Sequence, residues 1–590
     1  MSAICGFVGD LDGSLIVRMG RLLQQPGAEL QVVRHGSVHF GIQGSSEIGV
    51  QHLGDTLVAC AGYMLTASGL PASARDIADG YRRQGVQFFD DLDGHYSIAI
   101  WDASLGTLLL ARDPFGVMPL AFAHGENWSA FATEYKALLA LSQITSEPDL
   151  PAINTFFYNG WAPPGRTFFK DIRPVLPGSA VMVGVKGLKV VRTKPRAYDY
   201  DEPRNPAKPR DVLGVIEKSV NSYAYDATLR YGVSLSGGVD SALITALLRK
   251  RLPEKKLWTF TVGYGDSDPD IIGARQTSSL LETSHREFIV RPRDLIEILP
   301  STVWCLEDPG GYDAFAHLYA LARGVAGRAD VLFSGNICDT LFGGMPEHRR
   351  LWLGTHLSGA KKILSELRSA ELSGTLPASW PTRAIWYATR GRNPAPAPCS
   401  TPVEGSRLVA DQLELADRHS PLFQMLCSAV MSWDNRMGAQ EALAAEFGLK
   451  FRMPYANKHL IDLALRIPDA QKVGPRQVKV ILRRAAELVL PRAITHRKKY
   501  IQQFPYDSEM ADVIDHLCSR LINPHRSRRF TIVNNADVRR LLRRRARTYK
   551  DIEVRWLWNA ITAEIWAQQF IDRREAFLSD KCGDIGPISI

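Results

Sequence analysis

The stretch that decides the fold is YGVSLSGGVDSALITALL, Tyr231 to Leu248. A β-rich run stops at Ser236-Gly237-Gly238, and Asp240 and Ser241 then open an apolar segment of helical period. A strand turning directly into a helix is the repeating unit of a parallel α/β sheet. On either side, RYGVSL, LWTFTVGY, HREFIV and ADVLFSG read as strands. DVLGVIEKSVNSYAY, ALITALLRKRL and AFAHLYALARGVAG read as the helices between them.

The turn also carries chemistry. Gly237 and Gly238 let the backbone approach a ligand with no Cβ in the way. The free N–H groups and positive dipole end of the helix face an anion. Ser236 and Ser241 add hydroxyls. Asp240 would repel a bare phosphate, but it suits a Mg²⁺ ion that bridges phosphate oxygens. The turn therefore reads as a pyrophosphate cradle with its own metal ligand. It lacks the GxxxxGK[ST] pattern of kinases and GTPases.

Outward from this turn, residues 1–200 read as β-rich, with HYSIAIWD, TLLLARD and SAVMVGV as short strands between Gly and Pro turns. The charged, proline-rich DEPRNPAKPR, 201–210, reads as a linker. The loop RNPAPAPCSTPVEG, 392–405, interrupts the second half, and beyond 406 the chain reads as mostly helical. The 590 residues, 45% hydrophobic and 23% charged, imply two to four soluble domains. No apolar run approaches the ~20 residues of a membrane span. The opening MSAICGFVGD shows no secretory leader, and eight scattered cysteines without a CxxC pair fit a reduced, cytoplasmic protein. The net charge of +9 is local: Arg526 to Arg555 holds ten Arg and one Lys against three acids, or +8, which leaves +1 elsewhere. That distribution argues against a global nucleic-acid footprint.

SLSGGVDSALI resembles the pyrophosphate loop of the ATP-pyrophosphatase ligases, in the asparagine synthetase branch. FTVGYGDSDPDIIGARQTSSLLETSHREF (260–288), VLFSGNICDTLFGGM (331–345), RMPYANKHLIDLAL (452–465) and HRKKYI (496–501) resemble that branch's later motifs, in order. LDGHYSIAIWDASLGTLLLARDPFGVMPL (92–120) and FATEYKALL (131–139) resemble its N-terminal glutaminase-like domain. The resemblance implies an α/β protein. An Ntn-type αββα domain (1–200) would precede a doubly wound parallel-sheet ATP-pyrophosphatase domain (211–520) with a basic, Trp-containing helical extension (521–590). It implies ATP and Mg²⁺ as cofactors, with Asp240 and Asp339 as metal ligands. Leu235, Val262, Ser334 and Gly335 match nucleotide-contacting positions, beside Ser236, Gly237, Gly238 and Ser241 of the turn. Lys499 matches the lysine that stabilises negative charge during adenylate formation and amide closure. Glu307 matches an acidic residue near the acyl site, suited to accept a proton from an attacking ammonium.

The sequence departs from the glutamine-dependent members. They carry a cysteine after the initiator methionine, whose thiolate attacks glutamine; here Ser2 stands there. Cys5 reads as a small buried hydrophobe. The NGE-type segment is Ala61-Gly62-Tyr63, and no RGPD-like stretch occurs. The N-terminal domain is therefore expected to keep its fold without glutaminase activity. An enzyme that activates an acid without a local ammonia source needs another amine, as in the β-lactam synthetase and lasso-peptide macrolactam synthetase branches. Asn336, Ile337 and Cys338 alter the pocket wall of the asparagine-making form. The dense arginines ahead of an aromatic amphipathic helix read either as a docking surface for an acidic or extended partner or as a solvated basic helix face packed by Trp556, Trp558 and Trp566. The expectation is a lasso-peptide cyclase acting on a precursor peptide, with a leader peptidase and a leader-binding protein as implied partners and neither nucleic acid nor membrane. A β-lactam or other small-molecule synthetase, an ammonia-fed asparagine synthetase and a non-catalytic scaffold of a peptide-maturation complex stand as the alternatives.

Overall fold

The computed structural model describes residues 2–23, 27–44, 49–163, 165–184, 187–192, 205–311, 314–358, 434–498, 507–522 and 551–590, with Glu366, Ser420, Leu422, Phe423 and Leu426. Residues 201–204 of the linker, the 392–405 loop, Lys499 and the arginines of 526–547 lie outside the described residues.

In the first two hundred residues, strict alternation builds two antiparallel sheets of six described strands each. Thr56–Leu65 pairs with Asp93–Asp102 along its whole length, from Thr56 opposite Asp102 to Leu65 opposite Asp93. Along that strand Leu57, Ala59 and Ala61 face Ile4, Phe40, Ile42 and Phe131 of the other sheet. Val58 and Cys60 point the opposite way, onto Ile77 and Ala78 of the helix Ala74–Gln84. The helix Leu15–Arg21 covers the outer face of the first sheet through Ile16 and Met19. Helix, sheet, sheet and helix form the expected αββα layering.

The second half holds a five-stranded parallel sheet among the described residues. Its order is Ser284–Ile289, Trp258–Gly263, Tyr231–Ser234, Val331–Phe333, Lys450–Arg452. The last strand, three residues long, escapes the sequence reading, which took this region as helical beyond 406. The helix Val239–Arg251 follows the central strand, and Val239 to Leu248 are all buried. Up to Leu248 the helix has no solvent face, which explains why ALITALL is apolar but for Thr245. The strand following Tyr231–Ser234 in sequence pairs on one side of it and Val331–Phe333 pairs on the other. The loops leaving Ser234 and Phe333 therefore diverge at a topological switch point, where ligands of open α/β sheets bind.

The two halves share a core. Phe156, Phe168 and Phe169 of the first pack with Trp304, Trp558, Trp566 and Phe570 of the second. The helix Asp551–Phe570 is thus interior, and Trp558 and Trp566 are 4% and 0% exposed. The tryptophans therefore pack at the domain interface, as the packed-face reading expects, while the arginines of the docking reading lie outside the described residues. No helix among the described residues is long and apolar enough to cross a membrane.

Candidate adenylation site

The Ser236–Gly238 turn is held by its own side chains. Ser236 N–H donates to Ser241 Oγ (3.0 Å), and Gly238 N–H donates to Ser236 Oγ (3.2 Å). The two hydroxyls therefore brace the turn in addition to lining it. Both backbone polar groups of Gly237 are gripped. Its N–H donates to Asp270 Oδ1 (3.0 Å), and its carbonyl accepts from Arg497 Nη1 (2.9 Å). Arg497 also reaches the Gly273 carbonyl (3.0 Å) and Gln276 Oε1 (2.9 Å), tying the turn to the helix Pro269–Leu280. Glycine is required at this crossing: a Cβ on Gly273 would come within 2.5 Å of Gly237 Cα.

The second loop leaves Val331–Phe333 through Ser334, Gly335, Asn336 and Ile337 into the short helix Cys338–Leu341. Ser334 N–H donates to the Arg452 carbonyl (2.9 Å), anchoring the loop to the fifth strand. A Cβ on Gly335 would lie 3.1 Å from both Asp240 Cβ and Ser241 N, so the two loops touch at this glycine. That contact brings Asp240 and Asp339 together. Both carboxylates meet the ammonium of Lys479, Asp339 Oδ1 at 2.5 Å. Cys338 Sγ donates to Asp240 Oδ1 (3.2 Å), and Tyr455 Oη donates to the Asp240 carbonyl (3.2 Å). Burial alone would lower the Lys479 pKa, but the two carboxylates outweigh it and hold the ammonium protonated. Burial, reinforced by Asp240, pushes the Cys338 thiol well up, so it donates as S–H.

The donor set fits a hard divalent ion. Two carboxylates converge on one positive charge beside a helix N-terminus, and Mg²⁺ takes one or two carboxylates with phosphate and water for the rest. The expected nucleotide positions gather here too. Val262 stands one residue before the end of the neighbouring strand, and the backbone of Leu235 is held by the Phe260 carbonyl (2.8 Å) and by the Thr261 hydroxyl.

Glu307 is placed elsewhere. It lies at the domain interface, 4% exposed. Its carboxylate accepts from the N–H groups of Tyr135 (2.5 Å) and Lys136 (2.7 Å) and from Lys136 Nζ (3.1 Å). Its carbonyl accepts from Trp566 Nε1 (3.1 Å). All these partners are structural, and none of the adenylation cluster touches it among the bonds described.

The sequence reading missed Lys479, Arg497, Asp270, Tyr455 and Gly344. Lys479 carried a signal: a lysine opening the apolar helix Val480–Ala486 sits at the dipole's positive end, where a cation is disfavoured. The others lie inside the quoted motifs 260–288, 331–345, 452–465 and 496–501, but the tertiary contacts that give them their part do not show in those motifs.

The model of the asparagine synthase family matches residues 211–568, and that of a glutamine amidotransferase domain matches residues 74–194. A putative glutamine-hydrolysing asparagine synthetase of Mycobacterium tuberculosis is 27% identical over 456 residues, 72% of this chain and 69% of that protein. Asparagine synthetase 1 of Bacillus subtilis, also glutamine-hydrolysing, is 26% identical over 457 residues, 71% of this chain and 69% of its own length. Among solved structures, the glutamine phosphoribosylpyrophosphate amidotransferase of B. subtilis covers 48% of this chain and 65% of its own, at 13% identity and a TM-score of 0.23.

Proposed function

The chain belongs to the asparagine synthase family, an ATP-dependent carbon–nitrogen ligase that forms AMP and pyrophosphate, and from that premise we propose that it is a lasso-peptide cyclase. The carboxylate of an Asp or Glu side chain in a precursor peptide attacks the α-phosphorus of ATP. The bond to the β-phosphate breaks and pyrophosphate leaves. The peptide's own N-terminal amine then attacks the acyl carbon, loses a proton and displaces AMP, closing a macrolactam.

In this reading Asp240 and Asp339 would hold Mg²⁺, which neutralises phosphate charge. The Ser236–Gly238 turn receives the leaving pyrophosphate, and Lys499 stabilises charge at both steps. Tethering amine and acid in one molecule contributes up to about 7–11 kcal/mol against the barrier when the site holds them in attack geometry.

One contrast carries the proposal: the adenylation cluster is assembled while the N-terminal domain offers no reactive thiol. The two cysteines of residues 1–200, Cys5 and Cys60, are both 0% exposed, and burial raises both thiols far above neutral pH. Tyr63 stands where the glutamine-dependent pattern has an acid, with its hydroxyl on the Ser222 carbonyl (2.6 Å). Asp93 is bound by the Asn457 side chain and the Lys458 N–H (3.3 Å) of the synthetase half. These groups serve the domain interface, which supports an amine source other than glutamine.

The test is incubation of the full chain with a linear peptide carrying a free N-terminus and an internal acid, with ATP and Mg²⁺. The expected products are AMP, pyrophosphate and a peptide lighter by one water, read by mass spectrometry. ADP and phosphate would overturn the chemistry. Asparagine formed from aspartate with glutamine or ammonium would replace the cyclase reading with that of the named relatives.

A further inference from the structure

Lys479 combines three features that each oppose its being there. It stands at the positive end of the helix Val480–Ala486. Its backbone is left-handed, with φ 56° and ψ 38°, a conformation disfavoured for a residue with a Cβ. Its side chain is 2% exposed, and a buried ammonium is destabilising unless opposite charge compensates it. All three serve one outcome, an ammonium lodged between Asp240 and Asp339. The space is cut to fit: a Cβ on Gly344 would come within 1.9 Å of Asp339 Oδ1 and 2.0 Å of Lys479 Cε.

Two carboxylates so close would repel, or one would take up a proton, if no cation stood between them. We infer that Lys479 is the site's internal counter-cation: it holds Asp240 and Asp339 as a pair before metal binds and yields that place to Mg²⁺ when the nucleotide arrives. The consequence is selectivity for the metal–nucleotide complex. A bare divalent ion must displace the ammonium and strand its charge in a buried site. With the nucleotide present, the displaced ammonium finds phosphate charge within reach. Metal and nucleotide then bind with positive coupling, and by linkage each strengthens the other equally. The inference does not depend on which acid is activated, so it stands or falls apart from the cyclase reading.

Mn²⁺ binding to the full chain, followed by electron paramagnetic resonance without nucleotide, tests it. Lys479→Met removes the charge and keeps the stem. The variant is expected to bind Mn²⁺ at least tenfold more tightly than wild type, and ATP to enhance Mn²⁺ binding less. In metal-free buffer it should melt below wild type, with Mg²⁺ closing the gap. A variant that folds only with Mg²⁺ present gives the same answer more strongly. Mn²⁺ affinity equal to or weaker than wild type would overturn the inference. So would a variant insoluble both with and without Mg²⁺, since the metal could not then stand in for the ammonium.

Discussion

Two single residues fix the geometry of the two loops. Arg497 holds the Gly237 carbonyl while Asp270 holds its N–H, so the two peptide units that flank Gly237 are each pinned on one side. Which amides face the pyrophosphate depends on that orientation. Losing a charged hydrogen bond to a partly buried carbonyl costs roughly 1.5–3 kcal/mol. Arg497→Ala is therefore expected to weaken binding of a fluorescent ATP analogue by about 10- to 100-fold. Arg497→Lys should recover part of the loss, and added guanidinium should rescue the alanine variant. Unchanged affinity would show the clamp to be incidental. Ile337 is the second such residue. Its φ of 75° is a left-handed conformation in a β-branched residue, one step before Cys338 and two before Asp339. Strain here is separable from packing by comparing two truncations. Ile337→Gly should be more stable than Ile337→Ala by about 1 kcal/mol in urea denaturation, because only glycine relaxes at this φ. Asp240 and Asp339 were legible in the sequence because each closes a Gly-containing strand-to-helix turn. Ile337 was legible only as a changed wall, since strain is a property of the backbone path.

At the scale of elements, legibility followed periodicity. The helix Val239–Arg251 and the long antiparallel strands announce themselves by apolar runs and alternation. The strand Lys450–Arg452 does not, because three residues carry no period; it exists because Val331–Phe333 offers it a parallel edge. The helix Asp551–Phe570 was legible as a helix and its tryptophans as packing residues, but not what they pack on: Phe168 and Phe169 of the first domain meet Trp566 from far away in the sequence. Trp566 is fully buried and donates to the Glu307 carbonyl. Trp566→Ala is expected to cost about 3–5 kcal/mol. Glu307 belongs to the same junction, where it shares the buried Lys136 ammonium with Glu134. Glu307→Gln should lower the melting temperature, because Lys136 keeps only Glu134 as a counter-charge and one oxygen that accepts the Tyr135 and Lys136 N–H groups becomes an amide. A variant of normal stability with a shifted pH–rate profile would instead restore the proton-accepting role expected from the sequence.

For the molecule as a whole, the question is what joins a glutaminase-like half to a synthetase half. The sequence showed both halves and the order of their motifs but not their junction, because the junction is built from residues hundreds of positions apart. Beside the Asp93–Asn457 bond, Arg452 lies over the Tyr63 ring at 4.8 Å. Next to them His95, wholly buried, stacks on Tyr223 with ring centroids 5.1 Å apart, and its Nε2 meets the Tyr223 hydroxyl at 3.2 Å. Burial first, and the nearby Arg452 charge second, lower the His95 pKa to about 3. In the unfolded chain the same imidazole titrates near 6.5. Below that value the unfolded state binds a proton that the folded state refuses, so stability is complete above about pH 6.5 and is lost as pH falls toward 3. Each such histidine contributes a slope of up to ~1.4 kcal/mol per pH unit. His317, also lowered to about 3 by burial, adds a second share away from this junction. His95→Phe keeps a ring against Tyr223 and removes the titrating group. Its absolute stability falls with the lost hydrogen bond, so the slope is the quantity to read. Guanidinium denaturation at pH 7.5 and pH 5 should show a smaller acid loss for His95→Phe than for wild type, by about 1–2 kcal/mol. Parallel losses in both proteins would mean that His95 titrates normally and that acid does not act on this junction through it.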